Sequence, residues 1–222
     1  MITQVIWTSM VDCPNHVCSV LFFGTCNFEC KFCYNRELVK MQPIDFDKEI
    51  LPKLIERKDF IQHIILSGGE CTCSPEFTDI VQKLYMEGFK VGIHTNGSNP
   101  DVVEKNIEEI SFLGIDFKTS KEKYSSICNV EVNVDDIIKT IKLAVDNNKE
   151  FQVRTTMFPP EVKKEDCIKI AKLLKGIGVQ DYTIQQYQYV GSATVKEQYT
   201  QEELVEIKEE CGKIIYTNLK VK

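Results

Sequence analysis

Apolar, β-branched runs alternate along the chain with segments whose hydrophobic residues recur at helical spacing. The runs predict six strands, at residues 17–23, 63–67, 90–95, 115–118, 151–157 and 182–187. The helical patterns cover about 47–58, 75–88, 101–109, 134–148 and 164–176, and the capping sequence Thr200-Gln201-Glu202-Glu203 begins a last helix over 200–212. This alternation is typical of repeated βα units around a parallel sheet.

The number of units sets the expected architecture. A closed eight-stranded barrel usually needs about 250 residues, whereas this chain has 222 and six βα units. We therefore expect an α/β fold, a partial (β/α)6 TIM-like barrel of parallel strands. No linker or repeat divides the units, so residues 1–222 are predicted to form one domain, with a core over about 15–190 and a C-terminal helix over 200–212.

Polar residues gather where the predicted strands end. These features are the cysteine loop after strand 1, Gly68-Gly69-Glu70, His94 to Gly97, Asp116, Lys118, and Gln186 to Gln188. In parallel barrels the chemistry lies at the carboxyl ends of the strands, so we place the functional site there. The longest connection, 119–133, is polar and could form a mobile lid.

Charge and hydropathy exclude two classes of partner. The formal net charge of -6 argues against a nucleic-acid-binding surface, which is normally basic. The first residues lack the basic and apolar regions of a signal peptide, and no apolar run is long enough to span a bilayer. We expect a soluble cytoplasmic protein with no nucleic-acid or membrane partner.

Ten cysteines are many for a cytosolic chain of this length, and they suggest metal or redox chemistry. Cys26, Cys30 and Cys33 form a Cys-x3-Cys-x2-Cys triplet, which gives three thiolates on one loop and no obvious fourth. Closed zinc sites and most iron–sulfur clusters have four protein ligands. The loop could hold a [4Fe–4S] cube with one open iron. The alternative is a structural zinc site completed by His16 or a distant cysteine.

The chain resembles the radical S-adenosylmethionine (SAM) superfamily. The triplet, with Phe32 before its third cysteine, matches the superfamily's cluster loop, and Gly68-Gly69-Glu70 matches its SAM amino-group site. Within the superfamily the chain is most similar to the activating proteins of glycyl-radical enzymes, and among those to the anaerobic ribonucleoside-triphosphate reductase activating proteins. Further matching stretches are Asp12-Cys13-Pro14, residues 33–39, 95–100, Asp116-Phe117-Lys118, Arg154-Thr155-Thr156, Gln185-Gln186-Tyr187 and 199–204.

The resemblance implies a reaction and its partners. Cys26, Cys30 and Cys33 would hold three irons of a [4Fe–4S] cluster, and the methionine moiety of SAM would chelate the fourth. Reductive cleavage of SAM would give a 5′-deoxyadenosyl radical that removes a glycine Cα hydrogen from a partner protein. The implied partners are an anaerobic ribonucleotide reductase and a flavodoxin- or ferredoxin-type electron donor.

The resemblance also implies which residues bind SAM. Glu70 would accept the SAM ammonium, with Gly68 and Gly69 allowing a close backbone approach, and Lys118 would meet the SAM carboxylate. The other implied cofactor-binding residues are Tyr34, Asn96, Asp116, Arg154 and Gln188. Simpler roles remain open: a solvated Glu70, a structural Asp116–Lys118 ion pair, and a structural Arg154.

Three positions depart from the family pattern. Cys71-Thr72-Cys73 follows Glu70 where the family usually has proline, and these thiols could be a redox pair, part of a second cluster, or without function. His94 stands where relatives often have an aspartate that helps hold a monovalent cation beside SAM. Gln188 stands where some relatives place histidine or arginine near the ribose.

Two other functions compete with glycyl-radical activation. The first is a radical SAM enzyme that acts directly on a small molecule or peptide. The second, from a different class, is a non-catalytic iron–sulfur or zinc-binding module.

Overall fold

A computed structural model describes residues 1–189 and 195–221 of the chain. The described residues form one sheet of eight strands whose spatial order follows the chain. The strands are β1 (Ile2–Cys13), β2 (His16–Phe23), β3 (His63–Gly68), β4 (Lys90–Thr95), β5 (Ile110–Asp116), β6 (Glu150–Met157), β7 (Asp181–Gln186) and β8 (Tyr216–Lys220). β1 pairs antiparallel with β2, and each later pair of neighbours is parallel. The sheet is a curved partial barrel that is not closed, so the expected fold class is confirmed.

Helices follow the strands and cover the outer face of the sheet. They are α1 (Leu51–Glu56), α2 (Phe77–Met86), α3 (Pro100–Lys105), α4 (Tyr124–Cys128), α5 (Val134–Asp146), α6 (Lys164–Gly176) and α7 (Gln201–Gly212). The predicted capping box forms at α7, where Thr200 and Glu203 satisfy each other's backbone amides. Within the described ranges, every helix is too short or too polar to cross a membrane.

Alternation along the strands separates two packed layers. On β2, Leu21 and Phe23 belong to the large core between sheet and helices. Their neighbours Cys18 and Val20 point the other way and pack with Ile65 inside the barrel. The parallel strands are thus covered on both faces, as their continuous apolar runs require.

The predicted number of strands was wrong, because both edge strands were missed. β1 forms a hairpin with β2 through Pro14 and Asn15, and Asn15 has a positive φ of 60°. Its register with β2 is irregular, and Met10 and Val11 are exposed, so it lacks clean alternation. β8 is five residues long and pairs only with β7 among the described strands. The predicted core of 15–190 therefore leaves out both sheet edges.

The segment 119–133, for which a mobile lid was expected, packs against the rest of the protein in this structure. It contains α4, whose Tyr124, Ile127 and Cys128 are buried. Asp166 on α6 is 2% exposed and fixes the segment's start. It accepts hydrogen bonds from Ser120 Oγ at 2.7 Å and Lys123 Nζ at 2.6 Å.

We predict that Asp166→Asn lowers the free energy of unfolding by ~2 kcal/mol at pH 7, because a buried carboxylate loses its charge and its ion pair with the partly exposed Lys123. Burial raises the pKa of the Asp166 carboxyl, but hydrogen bonds from Lys123, the Lys163 amide and Ser120 together lower it below its usual value. The stabilisation is therefore complete above the unfolded-state pKa of about 3.9 and is lost as pH falls through the lower folded-state pKa. Urea denaturation at several pH values measures it.

The matched control is Asp135→Asn, which breaks an exposed ion pair with Lys121 in the same region. We expect a loss below ~0.5 kcal/mol for this variant. Equal losses for the two variants would contradict the assigned role of Asp166.

Candidate functional site

A cavity of about 480 Å³ opens at the carboxyl ends of the parallel strands. All but one of the predicted site residues line it: Cys26, Cys30, Cys33, Tyr34, Gly68, Gly69, Asn96, Asp116, Lys118, Arg154 and Gln188. These residues come from six separate stretches of sequence that the barrel topology brings to one edge. The cavity also contacts Ile6, Val11 and Asp12 of β1, none of which was predicted as a site residue because that strand was missed.

The cysteine loop is docked against helix α4. The backbone amide of Glu29 donates to the Cys128 carbonyl at 2.9 Å, and that of Lys31 donates to the Ile127 carbonyl at 3.1 Å. These bonds flank Cys30, which is buried, whereas Cys33 is half-buried and Cys26 exposed. The loop therefore has a fixed backbone and presents its thiols at different depths.

Cys30 and Cys128 form a hydrogen-bonded thiol pair. Hydrogen bonding from Cys128 lowers the pKa of Cys30 to about 6, against the effect of burial and with help from the Lys118 ammonium. The pKa of Cys128 is correspondingly raised. A thiolate is the form that binds iron, so these surroundings favour Cys30 as a ligand. The sequence did not single out Cys128.

The donor set fits an iron–sulfur cube better than a zinc ion. His16 begins β2, roughly 23 Å of strand from the residues that precede the loop, and its ring stacks on His63 at 3.9 Å. It therefore cannot complete a zinc site with the triplet. Across residues 1–189 and 195–221, no three His, Cys, Asp or Glu side chains are grouped to share one metal ion. In an iron–sulfur cube each cysteine binds a different iron, so the three sulfur atoms need not converge on one metal ion.

Gly68 and Gly69 allow the end of β3 to lie against the start of the cysteine loop. Gly68 has a φ of +114°, and a Cβ there would strike the Phe23 backbone. A Cβ on Gly69 would strike the Thr25 carbonyl. The amide of Glu70 donates to the same Thr25 carbonyl at 2.6 Å. Both glycines are needed for this close approach.

Glu70 is the predicted site residue that does not line the cavity. Its side chain is fully buried and accepts hydrogen bonds from Thr72 Oγ1 at 2.6 Å, Thr95 Oγ1 at 2.7 Å and the Asn96 amide at 2.6 Å. Burial raises the pKa of this carboxyl, although each of these hydrogen bonds lowers it. The structure thus places the carboxylate inside the protein, where it joins the ends of β3 and β4. The expectation of a solvated Glu70 is wrong.

The turn after β4 is bonded to the cysteine loop. Asn96 Nδ2 donates to Asn27 Oδ1 at 2.9 Å, and Asn27 Nδ2 donates to Ser98 Oγ at 2.8 Å. Asn27 lies directly after Cys26, so this pair of amides sets the position of the loop's first thiol. Asn27 was not identified from the sequence.

Asp116, Lys118 and Arg154 form a charged cluster on the cavity wall. Arg154 donates to Asp116 Oδ1 through Nε at 2.9 Å and Nη2 at 2.8 Å, whereas Lys118 Nζ lies 3.6 Å from Oδ2. Desolvation raises the pKa of Asp116, but Arg154 and Lys118 outweigh it and lower the pKa. Lys118 lies beyond the end of β5 rather than on the strand, contrary to prediction.

His94 lies beside this cluster, with Nε2 3.5 Å from Arg154 Nη1. Its desolvated surroundings and the Arg154 charge lower the pKa of His94 to about 3, so the ring is neutral at physiological pH. A neutral imidazole beside a guanidinium does not favour a bound monovalent cation at this position.

Cys71 and Cys73 contact different groups. Cys71 is buried with its sulfur 3.7 Å from the His94 carbonyl, and Cys73 Sγ accepts from Asn99 Nδ2 at 3.3 Å. These contacts do not support a redox pair.

Comparisons with known proteins agree with this geometry. Two proteins of Methanocaldococcus jannaschii, each named "putative glycyl-radical enzyme activating enzyme", are similar to the chain. One is 29% identical over 85% of this chain and 80% of its own length, and the other is 30% identical over 70% and 62%. The crystal structure of Streptococcus suis SuiB bound to S-adenosylmethionine matches with a TM-score of 0.70 at 18% identity. That match covers 91% of this chain and about half (49%) of SuiB, and it concerns the fold alone.

The Radical SAM superfamily profile matches residues 20–174, which include the cysteine loop and the charged cluster. Members of this superfamily use a [4Fe–4S] cluster and SAM. The match covers well over half of the sequence and coincides with the cavity described above, and the chain therefore belongs to the radical SAM superfamily.

Proposed function

We propose that this protein is an activating enzyme that installs a glycyl radical in a partner protein, and that the partner is an anaerobic ribonucleotide reductase. The observation that carries the enzymatic part is the shared cavity of three loop cysteines and the Asp116–Lys118–Arg154 cluster. The names of the two archaeal relatives support the activating subtype.

Cys26, Cys30 and Cys33 would hold the cluster. When bound, the cluster and SAM supply the 5′-deoxyadenosyl radical that removes hydrogen from the substrate. The protein's own tasks are to bind SAM, to orient it and to limit water near the reacting atoms. Phe28 and Phe32 line the same cavity and provide its apolar wall.

The charged cluster would bind the amino-acid end of SAM. Lys118 has a side chain only 12% exposed, and its Nζ lies 5.7 Å from the centre of the Phe32 ring, so it would meet the SAM carboxylate beside the loop. Asp116 Oδ1 is bonded by Arg154, which leaves Oδ2 better placed to accept from the SAM ammonium. We therefore assign this contact to Asp116 rather than to Glu70, whose carboxylate is bonded within the protein.

The remaining SAM contacts would lie at the rim. Tyr34, 67% exposed, and the half-buried Gln188 border the cavity on different sides and suit the adenosine portion. Asn96 shapes the rim through its bonds to Asn27 and Ser98. The exposed position of Cys26 gives a flavodoxin- or ferredoxin-type donor a short route to the cluster.

One observation favours the alternative, a radical SAM enzyme that acts on a small molecule or peptide. The cavity continues past the cluster loop to Ile6 and Val11 of β1 and to Gln185 of β7, which gives room for a directly bound substrate. The SAM-binding residues would be the same in both cases. Only the identity of the hydrogen donor separates the two functions.

We predict that the anaerobically reconstituted and reduced protein releases methionine and 5′-deoxyadenosine from added SAM. With anaerobic ribonucleotide reductase present, we expect a glycyl doublet in the electron paramagnetic resonance spectrum. Cys30→Ala should abolish both signals, because one of the three irons loses its ligand. Cys211→Ala, at a buried cysteine of α7, is the control and should retain them.

SAM cleavage without a doublet from any glycyl-radical protein, but with turnover of a small molecule or peptide, would favour the alternative. Absence of cleavage at full iron and sulfide content would indicate a non-catalytic module.

We predict that Glu70→Gln lowers the free energy of unfolding of the metal-free, SAM-free protein by about 1–3 kcal/mol. The amide cannot accept from Thr72, Thr95 and the Asn96 N–H together, so a buried donor is left without a partner. Urea denaturation of the apoprotein measures the loss. Glu76→Gln, at a half-exposed carboxylate, is the control. An apoprotein of unchanged stability that binds SAM weakly would restore Glu70 as a direct SAM ligand.

A further inference from the structure

Tyr124 of α4 bonds the backbone on both sides of Phe117. Its hydroxyl accepts the Lys118 N–H at 2.9 Å and lies 3.3 Å from the Asp116 carbonyl, to which it donates. The ring packs edge-on against Phe117, with centroids 5.4 Å apart. The side chain is fully buried, and burial raises the pKa of its hydroxyl, so the proton needed for the second bond stays in place.

This contact lies just past the end of the strand pairing between β5 and β6, where Thr155 Oγ1 of β6 still holds the Phe117 carbonyl at 2.5 Å. β5 ends at Asp116, and the last backbone bond to β6 is the Phe117 amide donating to the Arg154 carbonyl at 2.8 Å. Lys118 comes one residue later, and the Tyr124 hydroxyl holds its amide. Lys118 and Asp116 both line the cavity, so this hydroxyl and the Thr155 hydroxyl together hold the backbone from which two charged side chains enter it.

The same helix also holds the cysteine loop. The Ile127 and Cys128 carbonyls at the end of α4 accept the amides of Lys31 and Glu29. Tyr124, at the other end, holds the charged residues. Helix α4 therefore contacts both the cluster-binding loop and the backbone of the side chains proposed for SAM.

We propose that Tyr124 is a positioning residue for SAM: it acts through Lys118 and Asp116 without contacting SAM. This rests on the SAM-binding part of the proposed function and is independent of which partner receives the radical. Tyr124 contributes nothing to the cluster's ligands, so its loss should separate SAM affinity from cluster content.

The test is Tyr124→Phe, which removes one oxygen and leaves the ring contact with Phe117. We expect the Kd for SAM to rise about five- to tenfold, as for the loss of a buried hydrogen bond at the binding residues. Iron and sulfide content should stay unchanged, and the rate of SAM cleavage at saturating SAM should stay within about twofold. Equilibrium dialysis with reconstituted protein and no partner measures the affinity.

A double-mutant cycle with Lys118→Ala tests whether the effect passes through that residue. In the Lys118→Ala background, Tyr124→Phe should weaken SAM binding less than it does in the native sequence. Tyr199→Phe is the matched control, because its hydroxyl donates to the Val162 carbonyl at 2.9 Å and does not line the cavity. Its Kd for SAM should be unchanged.

Several results would overturn the inference. An unchanged Kd for SAM in Tyr124→Phe would overturn it. A loss of cluster content in proportion to the loss of SAM affinity would also overturn it, because it would indicate a general structural role for Tyr124. Should the variant not fold, a native Kd for SAM in Lys118→Ala would overturn the inference, and a raised one would support it. Failure to form a glycyl radical with normal SAM binding would refute the proposed partner and leave the role of Tyr124 standing.

Discussion

The buried carboxylate of Glu70 is the interaction on which the site depends most. It receives hydrogen bonds from Thr72, from Thr95 and from the Asn96 amide, so it joins the turn after β3 to the end of β4. Asn96 then binds Asn27 of the cysteine loop. Removing a carboxylate from water is unfavourable, and several hydrogen bonds to one group are required to offset it. These hydrogen bonds therefore hold the turn after β3, the end of β4 and the cysteine loop in fixed positions relative to one another.

Much of this arrangement was predictable from the sequence. Alternating βα patterns specify parallel strands, and parallel strands place their carboxyl ends at one edge, so residues as distant as Cys26 and Gln188 were expected together. The edge strands were harder to predict from the sequence, because β1 is half exposed and irregular in register. Such strands lack the continuous apolar run by which buried parallel strands are identified.

The direction of individual side chains could not be read from the pattern. Glu70 follows a predicted strand in a motif associated with SAM. Its carboxylate nevertheless points inward, because it accepts hydrogen bonds from the nearby Thr72 and from the distant Thr95 and Asn96. The segment 119–133 shows the same limit. Its polar composition suggested a lid, but Tyr124 and Cys128 bury themselves against groups from β5 and the cysteine loop. In both cases contacts with distant parts of the chain, rather than the local sequence, determine where the side chains lie.

Electrostatic interactions connect the cysteine loop with the charged cluster of Asp116, Lys118 and Arg154. Lys118 and Arg154 face a cavity in which Asp116 is half-buried, so this wall carries two cations against one carboxylate. Three cysteine side chains line the same cavity, and the Lys118 ammonium already contributes to the lowered pKa of Cys30. An uncompensated cation in such surroundings is stabilised by an anionic ligand. The cationic wall therefore favours both thiolate ligation at the loop and the carboxylate of a bound amino acid.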